Sequence, residues 1–296
     1  MLDSAQAGKS PQQMRGPLGR RRRWGGPSLP ESRPFLTASW RYLAMLNYEV
    51  PPSLLRPLVP WGTELDTWGG ATVASMVGFR FLDTRVVGIP IPGHRDFDEV
   101  NLRFYVRRPC EDGSWRRAVV FVRELVPRRA IAFVARWFYN EPYVAVPMQH
   151  ELQMDGALDG QPGRVAYAWR LADRWHRLEV RIRGRPAMPD PTSEAAFISE
   201  HYWGYTVQRD GGCKEYRVEH PPWRVWEAAG AQLDCDVKAV YGAGFAECLG
   251  VQPRSAFLAE GSAVTVYRGG DSMELPEQFS QKPRPNKRMQ LTGASV

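Results

Sequence analysis

The chain has 296 residues, 43% of them hydrophobic and 24% charged, with a formal net charge of +7. This is the make-up of an ordinary globular chain with material for one large core, and no run approaches the roughly 18 consecutive apolar residues that a membrane-crossing helix needs. Residues 1–33 hold seven basic residues against Asp3 and Glu31, whereas residues 34–269 set 28 basic against 27 acidic, so the body lacks the basic excess that tracks nucleic-acid phosphates.

Residues 1–33 read as a disordered basic tail, with Gly, Pro, Ser and Gln around Arg20, Arg21, Arg22 and Arg23. The arginine run leads straight into WGGPSLPESRP and not into the apolar segment of a secretory signal, so a cytoplasmic protein is expected. The tail is the one segment suited to touching nucleic acid or anionic lipid, and a solvated arm is the simpler reading. A single domain is expected over 34–270, followed by a Pro-rich, charged and disordered tail over 271–296.

Within the domain, Pro52 to Leu58 suggests a short helix and Ala71 to Leu82 a strand. From Glu99 to Arg107 the pattern has period two: Val100, Leu102, Phe104 and Val106 share one face, and Glu99, Asn101, Arg103, Tyr105 and Arg107 the other. Arg117 to Val126 is the next strand, and Ala130, Phe133, Val134 and Trp137 then follow helical spacing until Asn140 and Pro142 stop it. Tyr143–Met154, Gly163–Leu171 and His176–Arg183 alternate again. Ser193 caps a helix carrying Phe197, Ile198 and Tyr202, and Tyr205–Gln208 with Lys214–Glu219 form a hairpin around RDGGC. Ala263–Tyr267 is the last expected strand. Many strands with few helices between them give an α+β, mostly β, fold: a curved antiparallel sheet or open barrel with a few flanking helices.

The strong chemical signatures are missing. There is no Gly-rich phosphate loop, dinucleotide turn or Gly-x-Ser-x-Gly elbow. Cys110, Cys213, Cys235 and Cys248 lack metal-ligand spacing, and His150-Glu151 is followed by Met154 where a zinc-protease helix has its second histidine. No metal or cofactor is therefore expected. What remains is the polar face of Glu99, Asn101 and Arg103, which either orients a small ligand inside a barrel or meets solvent. The HPPW segment, His220 to Trp223, either lines a pocket or packs as a loop.

In these and neighbouring segments the chain resembles the YqjF-like family of unknown function, within the acetoacetate-decarboxylase-like superfamily. The likeness runs from about Phe35 to Arg268, through VPPSLLRPLVPWGTELDTWGG, MVGFRFLDTRVVGIPIPG, FDEVNLRFYV, ARWFYNEPYVAVPM, FISEHYWGYTV and HPPW. It implies a cone-like barrel with a ligand-sized interior. The namesake decarboxylase is similar in having a glutamate on a strand, the block of Glu99 here, and a Schiff-base lysine after a Gly-x-Pro. At the lysine's block this chain has Pro142, Tyr143 and Val144, and its lysines are Lys9, Lys214, Lys238, Lys282 and Lys287. Arginine cannot replace a nucleophilic amine, because it stays protonated, so Schiff-base decarboxylation is not expected. The resemblance implies a small carboxylate or carbonyl compound bound by Glu99, Asn101, Arg103, Tyr143, His220 and Trp223, with Glu99 the candidate proton carrier and the reaction unassigned. A barrel filled with side chains, serving as a structural or interaction module, is the competing expectation.

Overall fold

The computed structural model describes residues 33–90, 92–128, 142–171, 173–208 and 211–267; both expected tails and the helix expected at Ala130–Trp137 lie outside the described residues. In chain order come β1 (Pro34–Glu49), α1 (Pro52–Leu55), β2 (Glu64–Leu65), β3 (Thr67–Trp68), β4 (Ala71–Val86), β5 (Ile89–Pro90), β6 (Phe97–Pro109) and β7 (Trp115–Val126). Beyond residue 141 come β8 (Tyr143–Ala145), β9 (Met148–Gln153), β10 (Gly163–Leu171), β11 (Arg174–Ile182), α2 (Glu194–Ser199), β12 (Trp203–Val207) and β13 (Cys213–Glu219). The last elements are β14 (Val225–Asp234), α3 (Val237–Tyr241), α4 (Ala243–Leu249) and β15 (Ser255–Tyr267). No helix among the described residues is long and apolar enough to cross a membrane.

Strand pairing runs round a ring: β1, β4, β6, β7, β12, β13 and β15, with β15 pairing back onto β1. The pairs are antiparallel except at β7–β12, a parallel seam of two register pairs, Trp203↔Ala118 and Gly204↔Val119. Closing a ring requires strands to bend, and β1 bends at a register shift between Arg41 and Ala44, where Tyr42 has φ 55°. Opposite it, Gly261 has φ 77°, and a Cβ there would lie 2.0 Å from the Trp40 carbonyl oxygen. Only glycine fits that crossing.

A second sheet, β14-β11-β10-β9, branches from β15 and covers the outside of the ring. It lies close: a Cβ on Gly78 of β4 would meet Tyr167 at 2.5 Å and Leu178 at 2.8 Å. The larger core fills this interface with Val100, Leu102, Phe104, Val165, Tyr167 and Leu178. A smaller cluster, including Met45, Val77, Phe79, Tyr105 and Val119, occupies the inner face. Thus β6 is buried on both sides, and its period-two pattern separates an outer apolar face from an inner mixed one.

Several expectations need correcting. The strand expected over Tyr143–Met154 is divided into β8 and β9 around Pro147, which has no N–H to give a ladder. Ser193 does cap α2, accepting from Ala196 N at 3.2 Å, but the helix ends at Ser199 and leaves Tyr202 beyond it. β1, β14, α3 and α4 were not anticipated, and β15 starts at Ser255 instead of Ala263.

Candidate functional site

The alternation of β6 sends Glu99, Asn101 and Arg103 to the inner face, opposite the apolar residues it gives to the outer core. Their exposures of 2%, 1% and 9% exclude the reading in which this face meets solvent. They line a cavity of about 180 Å³, which Tyr143, His220 and Trp223 line as well. Tyr143 arrives on β8, which runs parallel to β7 with Tyr143 in register with Glu124, another lining residue. His220 and Trp223 come from the β13–β14 connection. Their rings stack at 4.0 Å and 15°, and Trp223 Nε1 donates to Ser262 Oγ at 2.9 Å. Burial lowers the His220 imidazole to about 4, so it is neutral at pH 7.

Charge in the cavity is incompletely matched. Asn101 Nδ2 donates to Glu99 Oε1 at 2.9 Å. Burial pushes the Glu99 carboxyl up to about 7, against the opposing pull of that hydrogen bond and of Arg103. The Arg103 guanidinium contacts Met45 Sδ at 3.8 Å and lies 5.8 Å from the Tyr105 ring centroid. Among the described residues it makes no ion pair with a carboxylate. Glu99 Oε2, Asn101 Oδ1 and Arg103 Nε are all buried without a hydrogen-bond partner.

Several lining residues carry no sequence signal, and among them His201 has the most developed polar contacts. His201, just past α2, sits between Tyr105 at 4.6 Å and Phe197 at 5.1 Å, and its Nε2 lies 3.3 Å from Asp66 Oδ2. Arg117 Nε donates to the same oxygen at 2.8 Å. Burial would raise the Asp66 carboxyl, but the hydrogen bonds from His201 and Arg117 outweigh it and hold the carboxyl below its ordinary range. Burial lowers His201 to about 4 despite Asp66. A neutral imidazole giving its Nε2 proton to Asp66 keeps Nδ1 as an acceptor, and that atom is buried without a partner. The two residues are 135 positions apart, so the link exists only in the fold.

Of the described lysines, Lys214 lies on β13 and Lys238 is exposed on α3; neither lines the cavity. His150, the start of the rejected zinc motif, lies on β9 with Nδ1 2.9 Å from Asp98. No cluster of His, Cys, Asp and Glu suited to a metal occurs among the described residues.

The profile of DUF2071, described as an uncharacterized conserved protein, matches residues 37–263. The chain belongs to this family. Uncharacterized protein YqjF of Bacillus subtilis (strain 168) is 29% identical to this DUF2071 chain over 204 residues, covering 68% of it and 79% of the relative. Among solved structures, acetoacetate decarboxylase from Legionella pneumophila superposes with a TM-score of 0.59 at 13% identity, over 86% of this chain and 93% of that one. The enduracididine biosynthesis enzyme MppR, complexed with the condensation product of pyruvate and imidazole 4-carboxaldehyde, gives 0.57 at 15% identity, over 81% and 90%. An acetoacetate decarboxylase-like enzyme from Sphingomonas wittichii RW1 gives 0.51 at 12% identity, over 81% and 93%. At such identities the likeness is one of fold, and it is the acetoacetate-decarboxylase-like, mostly β fold expected from the sequence.

Proposed function

We propose that this DUF2071 protein binds a small carbonyl-bearing carboxylate inside the ring of strands, with Arg103 holding the carboxylate and Glu99 and Asn101 meeting the neighbouring oxygen. Arg103 carries the reading: it is a permanently charged side chain, 9% exposed, with no carboxylate paired to it among the described residues. A buried cation left unpaired costs several kcal/mol, and a ligand carboxylate accepting from the guanidinium fork offsets that cost. Glu99, when protonated, offers Oε2–H as a donor, because Asn101 already occupies Oε1. Tyr143, His220 and Trp223 complete the wall. The structural neighbour MppR has been solved with pyruvate, which is a ligand of this class. At about 180 Å³ the cavity is smaller than the roughly 300 Å³ of common ligand pockets, so the unmatched polar atoms, and not its volume, are what speak against a side-chain-filled module.

The reaction stays unassigned, but it does not run through a Schiff base in this reading, since Tyr143 stands where the resemblance puts the lysine. Calorimetric titration with pyruvate and acetoacetate tests the ligand class. Binding of at least one is expected, weakened roughly 10- to 100-fold by Arg103→Met; no binding of either, or an unchanged affinity in the variant, overturns the reading. Borohydride treatment with acetoacetate should leave the lysines unlabelled, and a labelled Lys214 or Lys238 would restore amine catalysis.

A further inference from the structure

Beyond its charged end, the same cavity is walled by aromatic rings that strand register brings to one level. Trp40 of β1 is in register with Phe81 of β4, and Phe81 is in register with Phe97 of β6. Phe79, two residues along β4, is in register with Glu99. Trp40 meets Phe79 edge-on at 5.4 Å and 68°, and Phe81 at 5.7 Å and 74°. Phe81 stacks on Phe97 at 4.5 Å and 11°, and Trp223 closes on Trp40 at 6.4 Å and 61°. All five rings line the cavity.

The order along the inner face of β6 is therefore Phe97, Glu99, Asn101, Arg103, with the aromatic level next to Glu99 and on the side away from Arg103. A ligand whose carboxylate sits on Arg103 and whose carbonyl oxygen meets Glu99 and Asn101 directs its remaining substituent at these rings. A polar tail loses its water there, and among the described residues the unpartnered buried polar atoms beyond Glu99 that line the cavity are Trp40 Nε1 and Thr84 Oγ1. An aryl group instead gains apolar burial and the edge-to-face geometry that the wall already uses. We infer that the ligand is an oxo acid bearing an aryl tail, and that Trp40, Phe81 and Phe97 set this specificity; the inference rests on the preceding reading of Arg103 and narrows its substrate class.

Phenylpyruvate and pyruvate share the carboxylate and carbonyl and differ only in the ring, so their affinity ratio isolates the tail. Burying a phenyl group predicts phenylpyruvate bound roughly 10- to 150-fold more tightly by calorimetry. Trp40→Leu and Phe97→Leu, each checked for a wild-type circular dichroism spectrum, should reduce that ratio to about threefold or less. Two results would overturn the inference alone: a wild-type ratio near one with both acids bound, or a ratio unchanged in both folded variants. If neither acid binds, or if Arg103→Met leaves phenylpyruvate affinity intact, the reading of Arg103 itself fails.

Discussion

Replacing Glu99 by glutamine removes one buried ionisation while keeping the side chain's size and its place beside Asn101. The Glu99 carboxyl titrates at about 7 in the fold, against an ordinary value of 4.5, chiefly because burial disfavours its charged form. The sign follows from linkage. Below 4.5 the carboxyl is protonated in both native and unfolded chains, so its favourable contribution is fully present, and that contribution is lost as pH rises through the native value near 7. The full loss is on the order of 3 kcal/mol, most of it between pH 5 and pH 8. Urea unfolding of wild type and Glu99→Gln at those two pH values measures it as a difference of differences, in which the shifts of His201 and His220 cancel. In the proposed complex, ligand binding carries the same proton: a carboxylate on Arg103 beside Glu99 would favour the neutral acid, so wild-type affinity should fall by up to about tenfold per pH unit above 7, while the variant stays flat. A double difference under about 1 kcal/mol, together with parallel affinity profiles, would refute the claim that Glu99 is buried against an unmatched cavity.

Asp66→Asn should cost about 2–3 kcal/mol in urea unfolding, because it removes the charge that Arg117 and His201 share at 2.8 and 3.3 Å; a loss under about 0.5 kcal/mol would mean that the cluster does not hold α2 against the ring. Gly78→Ala should cost about 1–3 kcal/mol, since the new methyl would overlap Tyr167 and Leu178 across the sheet interface. An unchanged unfolding midpoint would show that the outer sheet shifts freely.

What could be read from sequence was set by local periodicity. The Glu99–Arg107 pattern is legible because a strand between two different environments must alternate. β1 gives no alternating signal because its C-terminal half, Leu43 to Tyr48, is buried on both faces and reads as a continuous apolar run interrupted by Asn47. β14 carries VWEAAGAQLD, whose Ala and Gly give no strand signal, and tertiary pairing with β11 and β15 makes it a strand. His201 is silent in the sequence for a different reason: a histidine after a short helix has no local mark. Its chemistry comes from Asp66 on a distant segment and from the aromatic rings that dry it.

The position of Tyr143 bears on how this cavity differs from one built around an amine. A Schiff-base lysine must shed its proton to act, so such a site tolerates a cation only transiently. Here the buried cation in view is Arg103, which cannot shed its charge, and the nearest inward carboxyl on its strand is held up to about 7, near neutrality. The two facts reinforce each other. On the proposed reading, the burial that opposes ionisation of Glu99 leaves Arg103 for an incoming anion, with a second buried carboxyl, Glu124, in register with Asn101 on the same cavity wall. In that reading the protonated Glu99 donates to the ligand's second oxygen. Strand register adds the rest, since Phe79 is the cross-strand partner of Glu99 and Phe97 its neighbour on the inner face of β6. Charge, donor and aromatic wall thus follow one strand in sequence, and a ligand able to satisfy all three needs an anion at one end and a ring at the other.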